Sequence, residues 1–186
     1  KGLPLAGSPD SLCDGSQQQD PFMHAHIVPP MDRTLAALAG LLAKAEAHCE
    51  AKGIKPEALL TFRLFPDMFP LTRQVQLTCD FCARAAARLA GAEPKSFPDT
   101  ETGFAELQAR IAAAREYMAG FPASAHEGAA TREVTIKMRG QDVTMPGLEY
   151  LTIYSLPQVY FHAATAYNIL RHNGVEIGKR DFMGAA

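Results

Sequence analysis

One histidine carries most of the chemistry that the residue spacing of this chain allows. His162 shares a helical face with Val159, Ala166 and Ile169, so it points towards an apolar interior, and Gln158 lies one turn earlier on that face. An inward imidazole between packed helices can ligate a metal or act as an acid–base group. The same pattern also describes a core histidine hydrogen-bonded to a neighbour. A second stretch, Arg63-Leu64-Phe65-Pro66-Asp67-Met68-Phe69-Pro70, leads into Arg73 and Gln74. Arginines around an aspartate in a proline-constrained loop suit an anion or a carboxylate, or pair with one another as a structural corner. Arg63, Asp67 and Arg73 are therefore candidate ligand-binding residues. Gln74 joins them because it falls beside the core-facing stripe of the helix that follows.

Other candidates read as structure. Cys79 and Cys82 have the two-residue spacing of zinc and redox pairs, but a zinc ribbon needs a second pair and the chain has none. Redox pairs sit at a helix N-terminus, where the dipole lowers a thiol pKa. This pair lies two turns into a helix, with Cys82 on the apolar stripe, as small core residues do. His48, His126 and His172 have no ligand-like partner at helical spacing, and His24 and His26 fall in what reads as tail. No Gly-x-Ser-x-Gly elbow, phosphate-binding glycine loop or dinucleotide fingerprint occurs.

The elements that must position these residues follow from prolines, glycines and apolar spacing. Asp32–Lys52 reads as a first long helix with Leu35, Leu38, Leu42, Ala45 and Cys49 on one face, stopped by Gly53. Pro56 opens a short helix through Leu60. Pro70 starts a second long helix to Leu89, with Leu71, Val75, Thr78, Cys82, Ala85 and Leu89 as its stripe. Asp99 to Thr102 offer N-caps for a third, through Phe104, Leu107, Ile111 and Ala114 to Gly120. The period then changes: Val134, Ile136 and Met138, and after Gly140 Val143 and Met145, alternate as a β-hairpin that must lie on the helical body. A last helix starts at Pro146-Gly147, is bent or broken at Pro157, and ends at Gly174. The fold class is all-α, a four-helix bundle with a small hairpin before the last helix.

Whole-chain arithmetic limits the function. The 186 residues hold 18 Lys and Arg against 20 Asp and Glu, a near-balance that argues against nucleic acid or an anionic membrane as partner. Residues Tyr150 to Leu170 lack Asp, Glu, Lys and Arg, yet Pro157, Gln158, His162 and Asn168 are costly in hydrocarbon, so the stretch reads as a buried helix. No apolar run of signal-peptide length occurs near the start, and a cytoplasmic location is expected. Residues 1–29 read as a flexible N-terminal tail and residues 30–186 as the domain. The apolar surface of the last helix makes a homodimer the expected assembly.

The Arg63–Gln76 segment, Ala87-Arg88-Leu89-Ala90-Gly91, and the run from Phe161-His162 to Leu170-Arg171-His172-Asn173-Gly174-Val175 resemble an uncharacterised bacterial domain-of-unknown-function family. That family is placed with the DinB/YfiT-like four-helix bundles, and the resemblance runs from about Leu35 to Gly184. It implies four helices running up-down-down-up. Many members hold nickel or zinc with three histidines, and some are thiol-dependent transferases or isomerases. Their last helix carries a His-x-x-x-His pair ahead of an Arg-x-x-Gly end. Counting back from Arg171 puts the second histidine at His162 and the first at Gln158, with the remaining ligand near Gln74 or Gln76. The full histidine triad is therefore absent. The resemblance implies a degenerate metal site, and a small-molecule-binding protein in place of a metalloenzyme. The alternative it leaves is a thiol-dependent transferase or isomerase using His162, with or without a divalent metal.

Overall fold

The computed structural model describes residues 22–184. Four long helices enclose one apolar core: α1 (Phe22–Lys52), α3 (Leu71–Leu89), α4 (Phe104–Ala119) and α6 (Leu156–His172). Short helices α2 (Pro56–Leu60), α5 (Gly147–Glu149) and α7 (Lys179–Met183) and the hairpin of β1 (Glu133–Met138) and β2 (Gln141–Pro146) complete the chain. Helix α3 packs against α6 on one side and α4 on the other, and α1 closes the bundle against both α4 and α6. Every stripe residue expected on α3 is buried, from Leu71 through Val75, Thr78, Cys82 and Ala85 to Leu89. No helix among the described residues is long and apolar enough to cross a membrane.

The first helix corrects the expected tail. Residues 22–29 belong to α1, and Met23 and Ile27 are buried against the core. The sequence hides this extension because Pro29 and Pro30 lie within the helix. Each removes a backbone donor and crowds the preceding turn, a usual stop signal. Burial of Met23, Ile27 and Met31 on one continuous face outweighs that local cost. The part of the expected tail before residue 22 lies outside the described residues.

The hairpin pairs Val134 with Met145 and Ile136 with Val143, as the alternation requires. Its tight turn places Arg139 and Gly140 at positive φ, the backbone of a two-residue turn matching the twist of the strands. Val134 and Ile136 are buried while Thr135 and Thr144 share a 2.8 Å hydroxyl bond on the outer face, so the hairpin lies flat on the bundle. Gly147 makes its exit possible, since a Cβ there would meet the Ala129 carbonyl oxygen at 2.0 Å. The last helix is not broken at Pro157. A π-helical turn, Tyr150–Ser155, joins α5 to α6 ahead of the proline. There the Leu156 amide bonds the Leu151 carbonyl, one residue further back than in an α-helix. That wider turn takes up the register change, and Pro157 sits in the first turn of α6, where its missing donor costs little.

Candidate functional site

Helices α3 and α6 bring Gln74 and His162 together, 88 residues apart in sequence. Gln74 is 1% exposed and His162 6%. The Gln74 amide nitrogen donates to the Phe69 carbonyl at 3.1 Å, and that carbonyl can only accept. The amide is thereby oriented with Oε1 towards His162, 2.8 Å from its Nδ1. The imidazole must donate from Nδ1, so in the neutral ring the lone pair lies on Nε2. That atom has no hydrogen-bond partner among the described residues, and it is not sealed from solvent. A loop carbonyl, a glutamine and an imidazole form a relay that fixes one tautomer and offers one acceptor outward.

Aromatic rings surround that acceptor. Phe81 stacks on the imidazole at 5.5 Å between centroids and 9° between planes, and Phe161 meets it edge-on at 5.2 Å. Tyr154 continues the surface against Phe81. Phe161 is 57% exposed, so the rim is apolar and open on that side. Burial, assisted by the nearby Arg73 charge, lowers the His162 pKa from 6.5 to about 4. The ring is neutral across the physiological range.

The remaining candidates are distributed differently. Gln158 is half-buried one turn before His162 and makes no side-chain hydrogen bond among the described residues. Gln76, the other position considered for a third ligand, points away and donates to Glu101 at 2.8 Å. Arg63, Asp67 and Arg73 do not gather into one ion-paired corner. Arg63 is exposed, with a 3.5 Å approach to the Pro66 carbonyl; Asp67 is exposed and has no ion pair among the described residues; Arg73 turns instead to Asp99. Cys79 and Cys82 are fully buried, and burial pushes the Cys79 thiol up to about 12 and Cys82 well above its usual range. They are core residues, Cys82 on the apolar stripe and Cys79 beside it.

Two polar features escaped the sequence reading. Arg110 of α4 is buried among acids, reaching Asp80 of α3 at 2.6 Å, Asp99 at 3.0 Å and Glu101 at 2.9 Å. Burial opposes its charge, but the bonds to Glu101 and Asp80 outweigh that and raise its pKa. Of the caps expected between Asp99 and Thr102, Asp99 and Glu101 turn to Arg110, and the Glu106 carboxylate closes the start of α4, accepting from the Thr102 and Gly103 amides. The only hint was that Arg110 adjoins the Leu107–Ile111–Ala114 stripe. The second feature is a contact between His24 and His126, whose Nδ1 atoms are 3.0 Å apart.

The site does not fit a three-histidine metal. It offers one imidazole, the Gln74 oxygen is engaged with His162 Nδ1, and glutamine oxygen is a weak donor to nickel or zinc. Among the described residues no group of three or more His, Cys, Asp or Glu could hold a metal ion.

Bundle and site together define a DinB-like four-helix bundle that brings one imidazole of the last helix against Gln74 of α3. Residues 23–183 match the family model described as a domain of unknown function (DUF1993), and the chain belongs to that family. It is similar to the crystal structure of a DinB family member protein from Shewanella denitrificans, at 39% identity and a TM-score of 0.84 over 89% of this chain and 93% of that one. No curated protein matches the chain.

Proposed function

We propose that this protein binds a small molecule at His162, in the remnant of a metal site. The observation that supports the reading most is the Gln74–His162 bond, which leaves Nε2 as a fixed acceptor inside an aromatic rim. The matching ligand carries an N–H or O–H donor on an apolar or aromatic body. Gln158, one turn earlier on α6, adds a second polar contact in this reading, while Arg63 and Asp67, on the exposed loop before Gln74, act on the approach to the site. Ligand-observed NMR with a fragment set tests this, comparing the wild type with His162→Asn and Phe161→Ala. Donor-bearing aromatic fragments should bind the wild type and lose affinity in both variants. Equal binding by all three proteins overturns the proposal.

The alternative, a transferase or isomerase with His162 as base, has the free Nε2 in its favour. A conjugate acid near pH 4 makes a weak base, well below the pKa near 7 at which proton abstraction is most effective. Binding is the better use of this ring. Elemental analysis of protein purified without chelator or metal-affinity resin discriminates further: stoichiometric nickel or zinc would revive the enzyme reading. A cytoplasmic homodimer completes the proposal, with Ile153 and Tyr160 as exposed apolar residues beside α6 and on it. Sedimentation at micromolar concentration showing monomer alone refutes the dimer.

A further inference from the structure

The His24–His126 contact joins the start of α1 to a single 3-10 turn, Ala123–His126, 102 residues later. His126 is 1% exposed, and its Nε2 lies 3.0 Å from the Ala86 carbonyl of α3. A carbonyl only accepts, so Nε2 carries the proton and Nδ1 of the neutral ring is a lone pair. His24 must then donate from its own Nδ1, and it can do so whether neutral or charged. Two imidazoles fall short of the three or four donors of a zinc site, and the charge of Arg132, felt at His126, opposes a divalent ion. The arrangement is built for a proton.

The segment it fastens is weakly continuous with the rest of α1. Pro29 and Pro30 have no N–H, so the carbonyls of Ala25 and His26 lose their helical partners. Residues 22–28 are held to the bundle by Met23, Ile27, the half-buried Val28 and the histidine contact. We propose that the His24–His126 contact is a proton-sensitive latch fastening the first two turns of α1 to the bundle. A proton added at His126 Nδ1 sets donor against donor at 3.0 Å and places a charge in a buried site. The groups that act on His126 are His24 from α1 and Arg132 from the following loop; α3 contributes the Ala86 carbonyl and the α4 exit the uncharged Phe121 ring. Burial, chiefly, and these two groups lower its pKa against the raising effect of Ala86. The sign is therefore fixed: the latch is closed above about pH 6.5 and weakens as pH falls, because the released state takes up the proton first.

Hydrogen exchange of the backbone amides of residues 26–28, the first of α1 with carbonyl partners inside the helix, corrected for intrinsic chemical rates, reads the latch in the full chain. Between pH 7.5 and pH 5 protection there should fall about ten- to thirtyfold, the most that one proton can give over about 1.5 pH units below 6.5, while α3 amides stay unchanged. His24→Asn places an amide where Nδ1 stood. It can donate to the neutral His126 or turn to accept from the charged one, so protection should fall less between the two pH values than in wild type, the part set by burial remaining. His24→Ala should be released at both. The proposal is overturned if wild-type protection is the same at the two pH values, if His24→Ala is as protected as wild type at pH 7.5, or if His24→Asn loses protection as wild type does.

Discussion

Helix α3 carries two buried polar clusters that face opposite ways and obey opposite rules. On its α4 side, Asp80 belongs to a closed network in which Arg73, Arg84 and Arg110 face Asp80, Asp99 and Glu101, three charges of each sign. On its α6 side, Gln74 belongs to an uncharged relay that ends in an unused acceptor. The first is nearly complete: among the described residues Arg110 Nε is its one buried atom without a partner, and the Phe97 ring lies beside the guanidinium. Such a network clamps α3, α4 and the 97–101 loop to one geometry and has little left to offer a ligand. The relay commits one ring nitrogen to positioning and keeps the other free. The free acceptor of the relay is what the proposed binding site rests on; the satisfied network is a staple.

The contrast is most sharply tested at Arg110. Replacing it with Met leaves Glu101 without a cation and Asp80 with only the half-buried Arg84, and breaking a buried pair in this way costs about 3–5 kcal/mol. Denaturant unfolding should show that loss, while fragment binding by the residual folded protein stays as in wild type. Adding Asp80→Leu to Arg110→Met should restore part of the stability. If fragment binding disappears with Arg110, the two clusters are one site and the distinction fails.

His162 gives the next effect. Its pKa is lowered from 6.5 to about 4, so the ring is neutral in the fold and its contribution to stability is complete above pH 6.5. As pH falls the unfolded chain takes up the proton first, and stability is lost between pH 6.5 and about 4, by at most about 3 kcal/mol. His162→Ala should cost about 1–3 kcal/mol at neutral pH through lost packing and an unpaired Gln74. His162→Asn, which keeps a donor at the Nδ1 position, should cost less and should flatten this part of the pH dependence. NMR titration of the ring alongside denaturant curves reports both. A ring pKa at 6.5 or above, with both substitutions silent, would mean that the imidazole is not buried in this relay.

A smaller shift sharpens the role of Gln74. Gln74→Glu sets a carboxylate against Nδ1, which favours the charged imidazole, so the His162 pKa should rise by more than one unit. An unmoved titration would show that Gln74 does not set the ring's protonation. The smallest effects belong to the loop: Arg63→Ala and Asp67→Ala should change unfolding free energy by no more than about 0.5 kcal/mol, because both are exposed and neither is in an ion pair among the described residues.

Much of the architecture was legible because its causes are local. Helix α2 runs from Pro56 to Leu60, where proline and apolar spacing placed it; α3 ends at Leu89 before Gly91; and the hairpin alternates as its β-branched residues demanded. His162 was legible as inward-facing from its neighbours on α6, and Gln74 from its place beside the α3 stripe. The failures share one cause. Pro29 and Pro30 carry strong local stop signals, yet burial of Met23 and Ile27 extends the helix through them. Asp99 and Glu101 have the chemistry of helix caps, yet a guanidinium on the next helix draws them away. Pro157 signals a break, yet a π-turn ahead of it keeps the last helix whole.

The sequence by itself determined the class of fold, the spans of most helices and the lone histidine on the inner face of the last one, because periodicity, turn chemistry and residue identity belong to single segments. Only the tertiary structure decided which polar groups meet: Gln74 rather than Gln76 beneath His162, Arg110 among the acids, and His24 against His126. Those pairings join residues 30, 88 and 102 positions apart. Their partners are chosen by how the helices pack, and no local spacing records that choice.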